Sequence, residues 1–195
     1  MSILKERILR DGQVFPNNVL KVDSFMNHQI DPVVIKEIAQ EFYHIFKDQG
    51  ITKIFTIEAS GIAPALATAE LFEVPMLFAK KTQPSTLANQ ERYETDIHSY
   101  TKNITSRVII SKQYLTAEDR VLIIDDFLAN GEACLGLVDL VEQAGASIAG
   151  IGICIEKSFQ VGRQKLDEKG ISVHSICRIA SLDHQTIQFL ENYPK

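Results

Sequence analysis

The chain has 195 residues, of which 45% are hydrophobic and 23% are charged, as in an ordinary globular protein. Its formal net charge of −5 argues against a general nucleic-acid or membrane-surface binder. The sequence has no apolar run of membrane-spanning length and no signal-peptide core near its charged N-terminus, so we expect a cytoplasmic protein. Its three cysteines lie in apolar segments without metal-ligand spacing, which is typical of buried thiols in a reducing compartment.

The N-terminal part predicts two helices separated by an irregular segment. Residues 2–10 have the pattern of a short amphipathic helix. Residues 13–30 mix apolar and polar side chains and predict a loop or a small subdomain of short strands. The second helix should begin at Asp31 and Pro32, because aspartate is a good N-cap and proline is favoured at the first helical position.

The first candidate anion site follows a predicted strand. Residues 51–58 are rich in β-branched side chains and lead into small residues, among them Ser60 and Gly61, before the next helix. Backbone N–H groups point out of a helix N-terminus and attract anions there. Ser60 and Gly61 are therefore candidate phosphate-binding residues. Glu58 is expected to act through a metal ion or a neighbouring backbone group.

A third strand over residues 74–79 ends in Lys80 and Lys81. Two lysines at a strand end usually serve solubility, but beside phosphate-binding loops they are suited to a polyphosphate. Residues 82–103 are polar and show little periodicity. A polar segment of that length within a compact domain is usually functional or disordered, so we expect a loop here.

The strongest signal lies in residues 121–133, VLIIDDFLANGEA. The four apolar residues 121–124 predict a buried strand, and Asp125 and Asp126 come directly after it. Small residues follow, and the next helix spans about residues 133–144. Open α/β sheets bind ligands at the carboxyl ends of their strands, and carboxylates beside a phosphate cradle suit a sugar phosphate. The alternative is an ordinary buried strand that ends in solvated acids.

The C-terminal part continues the alternation of strands and helices. Residues 148–155 predict a very apolar central strand that ends in Glu156 and Lys157. A helix over residues 162–170 and an edge strand over residues 173–179 follow. The order of elements predicts an α/β fold with a mainly parallel sheet flanked by helices, built as a single domain of residues 1–195.

The acid pair and the loop after it resemble the 5-phosphoribosyl 1-pyrophosphate (PRPP) motif of the type I phosphoribosyltransferases. The usual loop is richer in threonine and glycine than ANGEA at residues 129–133. Losing both threonines leaves phosphate binding to backbone N–H groups and Asn130, and Glu132 is compatible with a phosphate only if its carboxylate points away. The segments IEASGIAPA at residues 57–65 and LKVDSFMNHQIDP at residues 20–32 extend the resemblance to the bacterial members that act on xanthine.

The resemblance implies the type I phosphoribosyltransferase fold and assigns roles to particular positions. Asp125 and Asp126 would be catalytic and hold the ribose hydroxyls. A small N-terminal hood, about residues 1–35, would cover the base, with the contacts made by Leu20, Asn27 and Lys157. The PRPP-binding positions would be Ala129, Asn130, Gly131, Glu132, Ala133, Ser60, Gly61, Lys80 and Lys81. Residues 82–103 would form a lid that excludes water.

The resemblance also implies the reaction and the partners. Xanthine and PRPP would give xanthosine 5′-monophosphate and pyrophosphate, in purine salvage. Mg²⁺ would be bound mainly through PRPP and pyrophosphate, with no metal-ligating side chain assigned. The protein would be a homodimer and would bind neither nucleic acid nor membrane.

Three other functions are compatible with parts of the sequence. The same scaffold could use guanine, hypoxanthine, adenine or orotate. A PRPP-sensing transcription regulator would keep the loop without catalysis, but the first fifty or so residues here are not basic. A dinucleotide-binding enzyme would need a GxGxxG turn after its first strand, and that turn is absent.

Overall fold

A six-stranded sheet lies at the centre of the computed structural model, which describes residues 2–81, 91–99, 104–183 and 186–190. In spatial order its strands are Gln188–Phe189 (β10), Val173–Ser181 (β9), Ser147–Lys157 (β8), Arg120–Leu128 (β7), Lys53–Ile57 (β3) and Met76–Ala79 (β4). All neighbours are parallel except β10 and β9. The predicted mainly parallel sheet is confirmed. The prediction that residues 173–179 form an edge strand was wrong, because β10 pairs beyond them.

Five α-helices occur in the described residues: Ile3–Asp11 (α1), Pro32–Phe46 (α2), Ile62–Phe72 (α3), Glu132–Gln143 (α4) and Gly162–Glu168 (α5). Helix α2 begins where the sequence predicts, since Asp31 caps it by accepting from the backbone N of Val33 at 2.9 Å. Described residues contain no helix that is long and apolar enough to cross a membrane.

The sheet is covered on both faces. Helices α1, α2 and α3 share one apolar cluster with Leu122 and Ile124 of β7. Helices α4 and α5 share the other cluster with Val121 and Ile123. Successive side chains of a strand point to opposite faces, so a strand with five consecutive buried residues must be covered on both faces. The apolar run that predicted this strand is explained by its central position.

Two small hairpins lie outside the main sheet. The N-terminal one joins Gln13–Phe15 (β1) to Val19–Lys21 (β2) through Asn17 and Asn18, which both have positive φ. Asparagine tolerates this left-handed conformation better than most residues. This hairpin is the short-strand subdomain that the sequence offered as one reading of residues 13–30.

The second hairpin pairs Arg92–Ser99 (β5) with Ile104–Ser111 (β6). It packs on α4, where the Ile97 side chain lies against Gly136 and Gln143 Nε2 donates to the Glu94 carbonyl at 3.0 Å. Residues 92–99 were predicted as part of a loop, and that prediction was wrong. The strand is polar because only one of its faces packs against the protein. The rest of the predicted loop, residues 82–90 and 100–103, lies outside the described residues.

Candidate active site

The two acids lie within β7, which continues to Leu128 rather than ending at Ile124 as predicted. Asp125 is 4% exposed, and its Oδ1 accepts from the backbone N of Asp126 at 3.0 Å. Burial, and next the charge of Asp126, raises the pKa of the Asp125 carboxyl well above its usual value. Asp126 is partly exposed. The pair therefore combines a carboxyl held inside the sheet with one that reaches the surface of the site.

The loop after the acids leads into α4, whose N-terminus has no side-chain cap. Gly131 precedes the helix with φ of +85° and no side chain caps the first N–H groups. These donors border a cavity of about 450 Å³. All five predicted loop residues line that cavity, together with Lys81 and side chains from β5 and β6. A helix N-terminus with uncapped N–H groups in a cavity is suited to phosphate.

The carboxylate of Glu132 is paired with a lysine of α5. Its Oε1 accepts from Lys165 Nζ at 2.6 Å. This pairing neutralises a charge that would otherwise repel an anion bound at the loop. The position of Glu132 is thus compatible with phosphate binding.

The loop that follows β3 closes against β7. A Cβ on Gly61 would overlap with Thr56 Oγ1 and lie 3.1 Å from Asp125 Oδ1. Gly61 also precedes α3 without a side-chain cap, and the peptide bond between Glu58 and Ala59, within the same loop, is cis. The first predicted phosphate-binding loop therefore packs against the buried acid of the strand that leads into the second one, and only glycine fits at position 61.

The two lysines after β4 face different cavities. Lys81 borders the cavity at the start of α4, and its charge acts on Asp125. Its backbone N donates to Glu58 Oε1 at 2.6 Å, so Glu58 acts on a neighbouring backbone group. Lys80 borders a separate cavity, and its Nζ lies 5.6 Å from the centre of the Phe78 ring. The structure thus brings Lys81, and not Lys80, to the acid pair and its loop.

Comparison with known proteins gives the family. Residues 24–189 match the model of the phosphoribosyl transferase domain. The chain belongs to this family. It is 59% identical over 184 residues to the xanthine phosphoribosyltransferase of Macrococcus caseolyticus, covering 94% of each chain. Its identity to the Staphylococcus aureus xanthine phosphoribosyltransferase is 58% over 183 residues, covering 94% of this chain and 95% of that protein. The predicted resemblance is confirmed.

Solved phosphoribosyltransferases have the same fold. The adenine phosphoribosyltransferase of Giardia lamblia in complex with 9-deazaadenine superposes with a TM-score of 0.77 at 22% identity, covering 93% of this chain and 99% of that one. The Trypanosoma brucei adenine enzyme gives a TM-score of 0.75 at 18% identity, covering 90% and 79%. At these identities the likeness concerns the fold alone, and it confirms the predicted type I architecture.

Lys157 lies at the end of β8, between the central sheet and the N-terminal hairpin. Its Nζ donates to the Asn18 carbonyl at 2.8 Å and lies 5.6 Å from the centre of the Phe127 ring. Burial lowers the pKa of this lysine. Leu20 is 6% exposed within the apolar core, and Asn27 is exposed at the end of the turn Asp23–Asn27. The structure thus joins Lys157 to the hairpin through Asn18.

The sequence reasoning missed three residues of this region. Thr56 is buried beneath Gly61, and the only signal for it was a polar residue within an apolar strand. Phe127 stands beside Lys157 and was read only as part of the loop motif. Glu156 is 1% exposed and bound by two arginines, and the sequence showed it only as one of two charged residues at a strand end.

The donor set of the site fits a magnesium ion that arrives with its substrate. Within the described ranges, no group of three or more histidine, cysteine, aspartate or glutamate side chains could hold a metal ion. Mg²⁺ is usually held by one or two carboxylates together with substrate phosphates. The partly exposed Asp126, which directly precedes Phe127 of the cavity lining, could supply one such carboxylate.

Proposed function

We propose that this chain transfers the 5-phosphoribosyl group from PRPP to xanthine, forming xanthosine 5′-monophosphate and pyrophosphate in purine salvage. The observation that carries the proposal is that the Gly61 loop packs against Asp125 of β7, and that β7 leads through residues 129–131 into the uncapped start of α4. Identity of 59% to a xanthine phosphoribosyltransferase supports the choice of base.

Asp125 and Asp126 hold the ribose hydroxyls in this proposal. As the bond from ribose C1 to pyrophosphate lengthens, the ribose gains positive charge and the two carboxylates favour it. The pyrophosphate leaves with the bonding electrons, and Lys81 and the N–H groups of the Ser60–Gly61 turn stabilise its charge. Mg²⁺, when bound with PRPP, neutralises further charge on the leaving group. Lys80 keeps only a supporting electrostatic role.

Residues 129–133 anchor the 5′-phosphate through backbone N–H groups. Fixing one end of the sugar holds C1 in line between the base and the leaving group, which is a large part of the rate enhancement in such displacements. Asn130 adds the one amide side chain of this loop.

Lys157 selects the base. An ammonium has only donors, and xanthine presents carbonyl oxygens, whereas adenine presents an amine at the corresponding place. The Lys157 ammonium donates one of its three N–H groups to the Asn18 carbonyl, and the other two are then available to the base. Leu20 and Asn27 belong to the hood, about residues 1–35, and contribute its apolar packing and an exposed amide.

We also propose the assembly and the setting. A single domain of 195 residues acts as a homodimer in the cytoplasm, with the dimer formed through α3. This helix is apolar on nearly all sides, and Leu66 is 58% exposed on it. Exposed apolar surface of this kind marks protein contacts. Sedimentation at micromolar concentration tests the dimer, and Leu66→Glu should shift it to the monomer.

The test of function is pyrophosphate release with PRPP and Mg²⁺, measured separately with xanthine, hypoxanthine, guanine, adenine and orotate. Xanthine should be preferred, and Lys157→Ala should weaken that preference more than it slows turnover. Lys169→Ala, at an exposed lysine of the α5 region, is the control. Turnover of another base would contradict the role of Lys157. Tight PRPP binding without turnover of any base would favour a regulator.

A further inference from the structure

Helix α5 begins against the loop that precedes α4. The backbone N of Gly162 donates to the Ala129 carbonyl at 2.9 Å. A Cβ on Gly162 would overlap with that carbonyl and lie 2.7 Å from the Gly131 backbone N. The start of α5 therefore supports the proposed 5′-phosphate loop by direct backbone contact.

Arg163, the next residue, ties this helix start to the sheet. Its Nη1 donates to Glu156 Oε2 at 3.0 Å, and its Nε donates to Asp167 Oδ1 at 3.0 Å. The Arg163 side chain is 17% exposed. Arg163 is thus held in place by a buried carboxylate on one side and by its own helix on the other.

Glu156 is fixed by more than one partner. It accepts from Ser158 at 2.6 Å, from Ser175 at 2.5 Å and from Arg178 at 3.2 Å, in addition to Arg163. A carboxylate has about four acceptor positions, and four donors fill them. These four hydrogen bonds therefore fix the Glu156 side chain in one orientation, and they hold the end of β8 in place as well.

The end of β8 is also where the proposed base and phosphate sites meet. Glu156 is adjacent in sequence to Lys157 and lies opposite Leu128 in the β7–β8 register. Leu128 leads directly into Ala129 of the phosphate loop. The ion pair between Arg163 and Glu156 is thus connected both to the proposed base site at Lys157 and to the proposed phosphate loop at Ala129.

We propose that Arg163 is a positioning residue that holds the 5′-phosphate loop through Gly162 and the base-selecting lysine through Glu156. The inference rests on the proposed function for the naming of the two ligands. It adds to that function a physical connection between the phosphate end and the base end of the site. Arg163 itself does not line the cavity at the start of α4.

The test measures PRPP binding by calorimetry in the presence of Mg²⁺, and kcat and KM for xanthine, in four variants. Arg163→Met removes the charge, Arg163→Lys keeps it, Gly162→Ala displaces the loop and leaves the ion pair, and Gln164→Ala is an exposed control on the same helix. Small displacements of a positioning group cost up to about 100-fold.

Arg163→Met should weaken PRPP binding roughly 10- to 100-fold and raise the KM for xanthine as well. Arg163→Lys should recover part of both, and Gly162→Ala should weaken PRPP binding with little change in the KM for xanthine. Gln164→Ala should match the wild type. If Arg163 had only a structural role, Arg163→Met would lower the melting temperature, and PRPP binding and the KM for xanthine would not respond differently to Arg163→Met and Gly162→Ala.

Wild-type binding of PRPP and unchanged KM for xanthine in Arg163→Met would overturn the inference. If Arg163→Met does not fold, unchanged PRPP binding in Gly162→Ala overturns it instead. A wild-type protein that binds PRPP but does not turn over xanthine defeats the proposed function alone, because the binding comparison still decides the role of Arg163. A wild-type protein that does not bind PRPP overturns both.

Discussion

Two loops follow parallel strands of one sheet and each opens a helix, but different groups support them. The loop after β3 is held by side chains, since Glu58 accepts from the Lys81 backbone N at 2.6 Å and Gly61 lies against Thr56 and Asp125. The loop after β7 is held by main chain at Ala129, whose carbonyl accepts from the backbone of α5, and by a side chain at Glu132, which pairs with Lys165. The same local pattern of strand, small residues and helix is stabilised in two ways.

The two glycines of these loops are required for different reasons. Gly131 has φ of +85°, which other residues rarely adopt. Gly61 has φ of −69°, which any residue adopts, and is required only because Thr56 and Asp125 leave no room for a Cβ. A change in a neighbouring side chain can therefore relieve a substitution at position 61 but not one at position 131.

The largest expected effect lies at the acid that leads into the second loop. Asp126→Ala should lower kcat for pyrophosphate release by roughly 10²–10³-fold, because it removes a charge that stabilises the developing ribose cation. Stability should change little, since Asp126 is partly exposed. Asp48→Ala, at an exposed position far along the chain, is the control. A kcat within a factor of about three of the wild type would remove Asp126 from the mechanism.

The next largest effect is on stability, and it distinguishes Gly61 from Gly131. Gly61→Ala should destabilise the protein by about 1–3 kcal/mol, the usual range for overpacking, because its Cβ would overlap with Thr56 Oγ1. Urea unfolding measures this change. Thr56→Ala in the same chain should recover part of the loss, while Gly131→Ala should stay unrelieved because it meets the backbone of Gly162. Strict additivity of the two changes at positions 56 and 61 would contradict the crowding.

The sequence was sufficient for features that depend on local pattern. The start of α2 at Asp31, the buried run of β7 and the mainly parallel sheet follow from capping, apolar periodicity and element order. The position of the acids at the ligand edge of the sheet follows from the same rules.

Features that depend on distant partners could not be predicted. Glu132 finds Lys165 far along the chain, and the choice of Lys81 over Lys80 depends on how β4 meets the rest of the site. Strand β5 has a polar sequence and becomes a strand by pairing with β6 and packing on α4. Periodicity carries no information on such contacts.

Lowering the pH should affect the two loops differently. The buried carboxyl beside the first loop is Asp125, the one behind the second loop is Glu156, and their pKa values are shifted in opposite directions. Burial and the charge of Asp126 raise the pKa of Asp125. Burial alone would raise the pKa of Glu156, but hydrogen bonds from Ser158 and Ser175, with the charges of two arginines, lower it. Asp125 therefore costs stability above its folded pKa, whereas Glu156 adds stability that is lost as pH falls through its folded pKa.

Urea unfolding between pH 7 and pH 3 measures this difference. Glu156→Gln should destabilise by about 2 kcal/mol at pH 7, because it leaves buried donors without a charge. Asp125→Asn should stabilise the protein at pH 7 while lowering turnover. The Asp125→Asn difference should shrink as the pH falls from the raised folded pKa of Asp125 toward the ordinary aspartate range. The Glu156→Gln difference should shrink only as the pH falls below the ordinary glutamate range, through the lowered folded pKa of Glu156. Differences of the same sign at pH 7 would contradict the opposite pKa shifts.

The smallest effect isolates the hydroxyl beneath the first loop. Within the described part of the chain, Thr56 Oγ1 is buried without a hydrogen-bond partner. Thr56→Val keeps the shape and removes an unpaired polar group, so it should stabilise by about 1 kcal/mol in urea unfolding. Thr68→Val is the matched control, because that equally buried hydroxyl donates to the Pro64 carbonyl at 2.7 Å and its loss should destabilise by about 1 kcal/mol. Destabilisation by both substitutions would mean that Thr56 has a partner in the folded protein, and the first loop would then be held by one more side chain than the structure shows.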